Sequence, residues 1–345
     1  MSLEQFIRAM PKVELHVHLE GAIAPETVLA LAQLHGVRLP ADTLDGLRAW
    51  YRFVDFAQFI EVFSAISACV QTPDDIERIA RDFLAEQARQ NVRYSEVTYT
   101  AYTHYATKGI AFEDQLAAIN RARAWAEAEL GVRMGLIVDI LRTVSPDDGL
   151  MIADWAISGH GRGVVALGLA GPEFGYPPEP YAAAFERARA AGLPRVLHAG
   201  ETSGAESIWG ALRSGDPVRI GHGVRCLEDE ALVAELRARQ IPLEVCPTSN
   251  VCLGVAASLA EHPLPRLLRA GLYVTLNSDD PPMFGTTLTD EYLALARVFG
   301  CSADEILGLV MIAVHATLLP PDERDALAVE FAAEFADLRA QLDIP

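Results

Sequence analysis

Eight short apolar runs, at about 12–18, 92–98, 133–141, 163–170, 194–199, 218–222, 241–246 and 272–278, recur along the 345-residue chain with longer amphipathic segments between them. Runs this short and this apolar mark strands buried on both faces, as in a parallel sheet covered by helices. The intervening segments carry a helical period, as from Ile76 to Glu86 and over 113–130, 179–191, 204–214 and 228–240. Thr72-Pro73-Asp74-Asp75 reads as an N-cap with proline at the first helical position. Strand alternating with helix implies an α/β fold, and a count of eight favours closure into a (β/α)8 barrel of the TIM type over an open doubly wound sheet. No run is followed by the glycine-rich fingerprint of a dinucleotide fold. No Ser/Gly/Pro-rich linker divides the chain, so residues 1–345 read as one domain.

Such barrels place their chemistry at the C-terminal ends of the strands. His16 and His18 end the first run, and residues i and i+2 of a strand point to the same side, so two imidazoles enter one space. His198 ends the fifth run, His222 the sixth between Gly221 and Gly223, and Asp279-Asp280 follow the eighth. Glu201 stands three residues beyond His198. Adjacent carboxylates where a strand stops are costly in a dry site unless a cation or a protonated partner lies nearby. Three imidazoles and a carboxylate suit a divalent ion such as zinc, leaving one position for a water that the ion acidifies. A carboxylate close by can carry protons to a leaving group. The bland alternative, satisfied core histidines, would have to bring all these residues to strand ends by chance.

The formal charge of −19, from 47 acidic and 28 basic residues, repels polyanions and anionic membranes, which excludes a nucleic-acid backbone or a lipid surface as partner. The expected partner is a small molecule; nothing selects an oligomeric state. No apolar run reaches the roughly 18 residues of a membrane span. Met1 to Phe6 lacks the basic start and apolar core of a signal peptide. Five scattered cysteines without C-x-x-C spacing fit a reducing, cytoplasmic setting.

Residues 43–71 fall outside the repeat as a helical insertion after the first strand, carrying Trp50, Tyr51, Phe53, Phe56, Phe59 and Phe63. Spacings of three and four fit either a buried helix face or a lid over substrate. Segments 302–318 and 321–342 read as helices packed around the barrel. His35, His104, His160, His262 and His315 lie outside the strand-end pattern, and surface or packing roles are expected for them. Cys246 reads as a small buried apolar residue.

Six segments, in order, resemble adenosine deaminase and its relatives in the zinc-dependent amidohydrolase superfamily. They are Val13-Glu14-Leu15-His16-Val17-His18-Leu19-Glu20-Gly21, Leu169-Ala170-Gly171-Pro172-Glu173, His198-Ala199-Gly200-Glu201, Arg219-Ile220-Gly221-His222-Gly223, Glu244-Val245-Cys246-Pro247-Thr248-Ser249-Asn250 and Leu276-Asn277-Ser278-Asp279-Asp280-Pro281. The resemblance implies one zinc per chain, held by His16, His18, His198 and Asp279. It further implies that Glu201 protonates the ring nitrogen beside the attacked carbon, and that His222 orients the attacking water and takes part in its deprotonation. Asp280 and the Gly171 N–H would bind purine nitrogens, and Glu173 matches a position near the purine. His18 and Glu20 would meet the substrate, with Phe59 and Phe63 as lid residues. Binuclear members of the superfamily need a lysine at the end of the fourth strand. Only Lys12 and Lys108 occur here, neither near Leu169-Ala170-Gly171, so a single metal is expected. The cytidine-deaminase type of site needs P-C-x-x-C as well as H-x-E, and Cys246-Pro247 offers only a reversed fragment of the cysteine part.

Adenosine deaminases usually carry aspartate where this chain has Glu20, as adenine deaminases and some other branches do. Adenine deaminases tend to have an acidic residue where this chain has Gly221. The expected order of substrates is adenosine or 2′-deoxyadenosine (to inosine or 2′-deoxyinosine plus ammonia), then adenine, then a 5′-substituted nucleoside such as aminodeoxyfutalosine. The rival readings are a lactonase or phosphotriesterase on the same scaffold, and a non-catalytic purine-binding barrel.

Overall fold

The computed structural model describes residues 3–53 and 56–344. Its eight strands are β1 (Lys12–His18), β2 (Val92–Tyr99), β3 (Arg133–Leu141), β4 (Val164–Ala170), β5 (Arg195–Ala199), β6 (Arg219–His222), β7 (Leu243–Val245) and β8 (Val274–Leu276). They pair in sequence order, every pair parallel. This is the expected (β/α)8 barrel, and the seven-residue β1 is buried along its whole length, as a strand covered on both faces must be.

β8 and β1 share no continuous ladder. The seam is closed beyond β8, where Asp279 N donates to His16 O at 3.1 Å and His18 N donates to Asp279 O at 3.0 Å. Two side chains extend it: Leu15 N donates to Asn277 Oδ1 at 2.9 Å, and Ser278 N donates to Glu14 Oε1 at 3.1 Å.

The lumen is filled rather than open. Ile137, Ala166 and Val196 form an apolar cluster with Val165 and Leu318 packed against it. Beside Val196, its register partner, Arg219 of β6 pairs with Glu244 of the neighbouring β7 and, across the barrel, with Glu96 of β2. The end of helix Ala303–Ala316 and the segment after it supply the remaining partners, Arg219 Nη1 donating to Ala316 O at 3.0 Å and Leu318 N to Glu96 Oε1 at 2.5 Å. A buried guanidinium is tolerated only when its charge and donors are matched in this way.

The helices begin where their caps direct. Thr72 Oγ1 accepts from Asp75 N while Asp75 Oδ2 accepts from Thr72 N, a capping box that starts Pro73–Arg89. The expected helix over 179–191 is a 3-10 turn, Glu179–Tyr181, followed by Ala182–Ala190. That over 228–240 is Glu230–Arg239, capped by Asp229. Within the insertion, helices Leu44–Trp50 and Phe56–Ala68 are present; residues 54–55 and the Phe56 side chain, part of the expected aromatic face, lie outside the described residues. Phe59 stacks on Phe284 at 5.6 Å between centroids and Phe53 meets Phe284 edge-on at 5.7 Å. The insertion therefore rests on the turn that follows Asp279-Asp280.

Candidate active site

His16, His18, His198 and Asp279 converge at the C-terminal mouth, as the strand-end pattern anticipated. His18 Nε2 lies 3.2 Å from His198 Nε2 and 3.3 Å from Asp279 Oδ1, and His16 Nε2 lies 3.4 Å from the same oxygen. Four donors about 2.0–2.1 Å from a tetrahedral zinc would be about 3.3–3.4 Å apart, so the spacing fits such an ion. His16 Nε2 is buried without a hydrogen-bond partner, as suits a nitrogen whose lone pair would face a metal ion. Burial works against charge on His16, yet Asp279 and Glu244 raise it to about 9. The site asks for positive charge at that nitrogen, which a metal cation would supply.

The histidines are aimed by their other nitrogens. His16 Nδ1 meets Glu244 Oε2 at 2.7 Å, and Glu244 is itself anchored by Arg219. His198 Nδ1 donates to Leu169 O at 2.9 Å, and burial with the neighbouring imidazoles keeps this ring neutral, well below the usual range. Both arrangements fix the tautomer that leaves Nε2 as the metal-facing lone pair. Asp279 is buried, but the adjacent imidazoles of His16 and His18 hold it well below the carboxylate range, and Ser249 Oγ donates to its Oδ2 at 2.7 Å. Asp279 (φ 66°) and His222 (φ 60°) both adopt the left-handed conformation that side chains disfavour, strain of the kind found at functional sites.

Beside the donors sit the groups that can move protons. His222 Nε2 is 3.6 Å from Glu201 Oε1 and 4.0 Å from Asp279 Oδ2. Burial, with the charges of Asp279 and Glu173, pushes the Glu201 carboxyl well above its ordinary range; burial and Asp279 do the same to Asp280. Burial, helped by His16, lowers His222 to about 4. A protonated acid and a neutral imidazole thus stand together beside the metal donors. Asp280 Oδ1 has no partner, and a Cβ on Gly21 would fall 1.5 Å from it, so only glycine leaves this carboxylate room. Gly221 has a similar reason: its Cβ would be 2.8 Å from His16 Cε1 and 3.1 Å from His198 Cγ.

A cavity of about 620 Å³ opens over these groups. His18, His198, Glu201, His222, Asp279 and Asp280 form its floor; Gly171 lies on the wall, and Phe59 and Phe63 of the insertion lie over it. It runs outward to Thr103, Thr107, Lys108 and Gln71. Glu20 is not on the cavity surface: its Oε1 accepts from Thr100 N at 3.1 Å and lies 3.2 Å from His104 Nε2, and its Oε2 has no partner. Lys108 reaches Ser67 O and His104 Nδ1, and Lys12 reaches Met10 O and Gln90 O, so neither lysine approaches the end of β4.

Several working residues make contacts that the sequence does not indicate. Glu173, expected near the purine, instead accepts from the backbone N–H groups of Gly200, Glu201 and Thr202 at 2.8 Å each and of Ser203 at 3.4 Å, with Ser207 Oγ bonded as well. It fixes the loop that carries Glu201. His262, expected to pack or face solvent, is buried; its Nδ1 accepts from Leu264 N at 3.1 Å and its Nε2 meets Asn250 Oδ1 at 3.0 Å. Asn250 Nδ2 in turn faces His222 Nδ1 at 3.5 Å. Charged letters inside apolar runs, Glu96, Asp139 and Glu244, were the available signal for such partners.

The family model described as adenosine deaminase matches residues 11–334. An aminodeoxyfutalosine deaminase of Streptomyces avermitilis is 40% identical over 331 residues, 95% of this chain and 92% of its own. The crystal structure of an adenine deaminase from Arthrobacter aurescens superposes with a TM-score of 0.90 at 35% identity, over 95% of this chain and all of that one. An amidohydrolase from Burkholderia ambifaria, solved with bound Zn, gives 0.92 at 28% identity over 99% and 96%. With that likeness running over nearly its whole length, the chain belongs to the adenosine deaminase family of the amidohydrolase superfamily, hydrolases that act on C–N bonds.

Proposed function

We propose that this protein hydrolytically removes the exocyclic amino group of an adenine-containing nucleoside that bears a substituent at its 5′ end. The observation that carries this reading is the cavity, which continues past the metal donors to Thr107, Lys108 and Gln71 and which free adenine would leave mostly empty. Two of the relatives reported above are an aminodeoxyfutalosine deaminase and an adenine deaminase, which favours the substituted nucleoside over the adenosine-first order that the sequence suggested. Free adenine is the second reading, favoured by the Arthrobacter likeness. Against it, the space at Gly221 is closed to the acidic side chain that adenine deaminases tend to carry there.

His16, His18, His198 and Asp279 would hold the metal, for which zinc is our assignment. A bound zinc ion supplies a Lewis acid that lowers the pKa of water toward neutrality. Glu201, protonated by its burial, donates its hydrogen to the ring nitrogen beside the attacked carbon. With Asn250 Nδ2 donating to Nδ1, His222 presents Nε2–H to the site and orients the attacking water. Asp280 and Gly171 N–H hold purine nitrogens, and Asp280, also kept protonated, can donate as well as accept. Water gives up two protons in all: one departs on ammonia and the other restores Glu201, whose own proton stays on the ring. Phe59 and Phe63, standing over the mouth, exclude bulk water as a lid.

Ammonia release from zinc-loaded protein offered adenine, adenosine and a 5′-substituted adenosine in parallel tests the reading. The highest kcat/KM is expected for the substituted nucleoside. Preference for adenine by tenfold or more would replace our reading with the second.

A further inference from the structure

Asp139 is a buried carboxylate that the protein itself leaves largely unpaired. In β3 its side chain points the same way as that of Ile137, into the barrel, and lies at the end of the strand that opens on the cavity. Gly168, its partner on β4, leaves space beside it, since a Cβ there would come within 3.0 Å of the Asp139 Cβ. The residue is fully buried, and neither carboxylate oxygen has a donor in good hydrogen-bond geometry among the described residues, the Thr100 hydroxyl giving it loose support. Glu20, His18 and Thr100 are its charged and polar surroundings, and the outer oxygen of Glu20 is unpartnered too. Burial and Glu20 raise Asp139 to about 7.

Buried polar atoms in folded proteins are paired, and exceptions ask for an explanation in the site. A second cation is one candidate, but neither Asp139 nor Glu20 belongs to any group of three converging ligand atoms among the described residues. The remaining complement of unpaired acceptors is a set of hydroxyl donors carried in by the ligand. A purine base has no hydroxyl, and its nitrogens have Glu201, Asp280 and Gly171 for partners in the reading above. A sugar has hydroxyls.

We propose that Asp139 receives ribose hydroxyl of the substrate, with Glu20 behind it, and is the residue that makes this enzyme select a nucleoside over a free base. The inference rests on the nucleoside reading given under Proposed function and adds the residue that enforces it. A site built to hydrogen-bond a hydroxyl rejects the analogue that lacks it, because its own polar atoms are then left unpaired.

The test compares wild type with Asp139→Asn and Asp139→Leu on adenosine and its 2′-deoxy, 3′-deoxy and 5′-deoxy analogues, with adenine alongside, and records the melting temperature of each protein without substrate. Wild type is expected to lose at least tenfold in kcat/KM on one or more deoxy analogues. Asp139→Leu should shrink that ratio to within about twofold while melting no lower than wild type, since it removes an unpaired buried charge. A structural role would instead lower the melting temperature and leave the ratio as it was. Nucleoside turnover in which wild type and both variants discriminate alike overturns the assignment and leaves the nucleoside reading standing. Turnover of adenine alone overturns both.

Discussion

The Asp279 carbonyl accepts the His18 backbone N–H at 3.0 Å, and the Asp279 carboxylate lies 3.3 Å from the Nε2 of the same histidine. One residue therefore closes the barrel seam with its backbone and faces the metal donors with its side chain. Removal of the metal is expected to loosen both. At thousandfold saturation a bound ligand contributes about 4 kcal/mol, which for a chain of this size corresponds to a midpoint shift on the order of 5–10 °C. Thermal scans before chelation, after it and after zinc is restored measure the effect. An unchanged midpoint would mean that these four groups do not hold an ion.

Glu201→Gln should lower kcat by roughly 10²–10⁴-fold while metal content and substrate KM stay nearly constant, because the amide keeps the shape and cannot donate the proton. The sign of the pH dependence follows from the raised pKa of this acid. Glu201 works while protonated, so the rate falls as pH rises through that pKa, and the variant should lack this alkaline limb. A wild-type rate in the variant contradicts the proton-donor role.

His262 touches no substrate, yet through Asn250 it sets which nitrogen of His222 bears hydrogen. His262→Phe should cost about tenfold or more in kcat/KM, the usual penalty for removing a partner that orients a metal-site group. Metal content should not change, and His262→Gln, which can still donate to Asn250, should recover part of the loss. Loss of metal in His262→Phe would point to a general collapse of the site instead.

Glu291 offers a stability prediction away from the metal. Burial raises its carboxyl to about 7, although Thr286 Oγ1 donates to it at 2.7 Å and Thr248 N at 3.3 Å. The folded chain keeps this proton up to about pH 7 while the unfolded chain releases it near its ordinary value of 4.5. Between those values the folded state binds more protons, so stability declines as pH rises, by about 3 kcal/mol in all for this one group. Glu291→Gln removes the decline. Urea unfolding at pH 5 and pH 8 should show the variant gaining on wild type at the higher pH; an equal difference at both would refute the shift.

The strands were legible because a parallel sheet covered on both faces leaves uninterrupted apolar runs, and β1 to β6 fall within a residue or two of those runs. β7 and β8 are shorter than expected, since Cys246 and Asn277 already belong to the turns that build the mouth. His16 and His18 could be read from strand alternation alone. The Glu96–Arg219–Glu244 chain could not, because whether β2 and β6 side chains meet depends on how far the strands are staggered around the barrel, which no local pattern states. His104 illustrates the same limit. It reads as an ordinary helix residue, and only the fold seats it between Glu20 and Lys108.

Four consecutive backbone amides, from Gly200 to Ser203, turn inward on Glu173. Such a concave row of N–H groups is an anion trap, and at the C-terminal face of comparable barrels traps of this kind receive phosphate. Here the protein has plugged it with a carboxylate of its own. Inorganic phosphate and phosphorylated metabolites in the surrounding solution find that berth already taken, and the proton donor stands on a loop whose anchor no passing solute can displace.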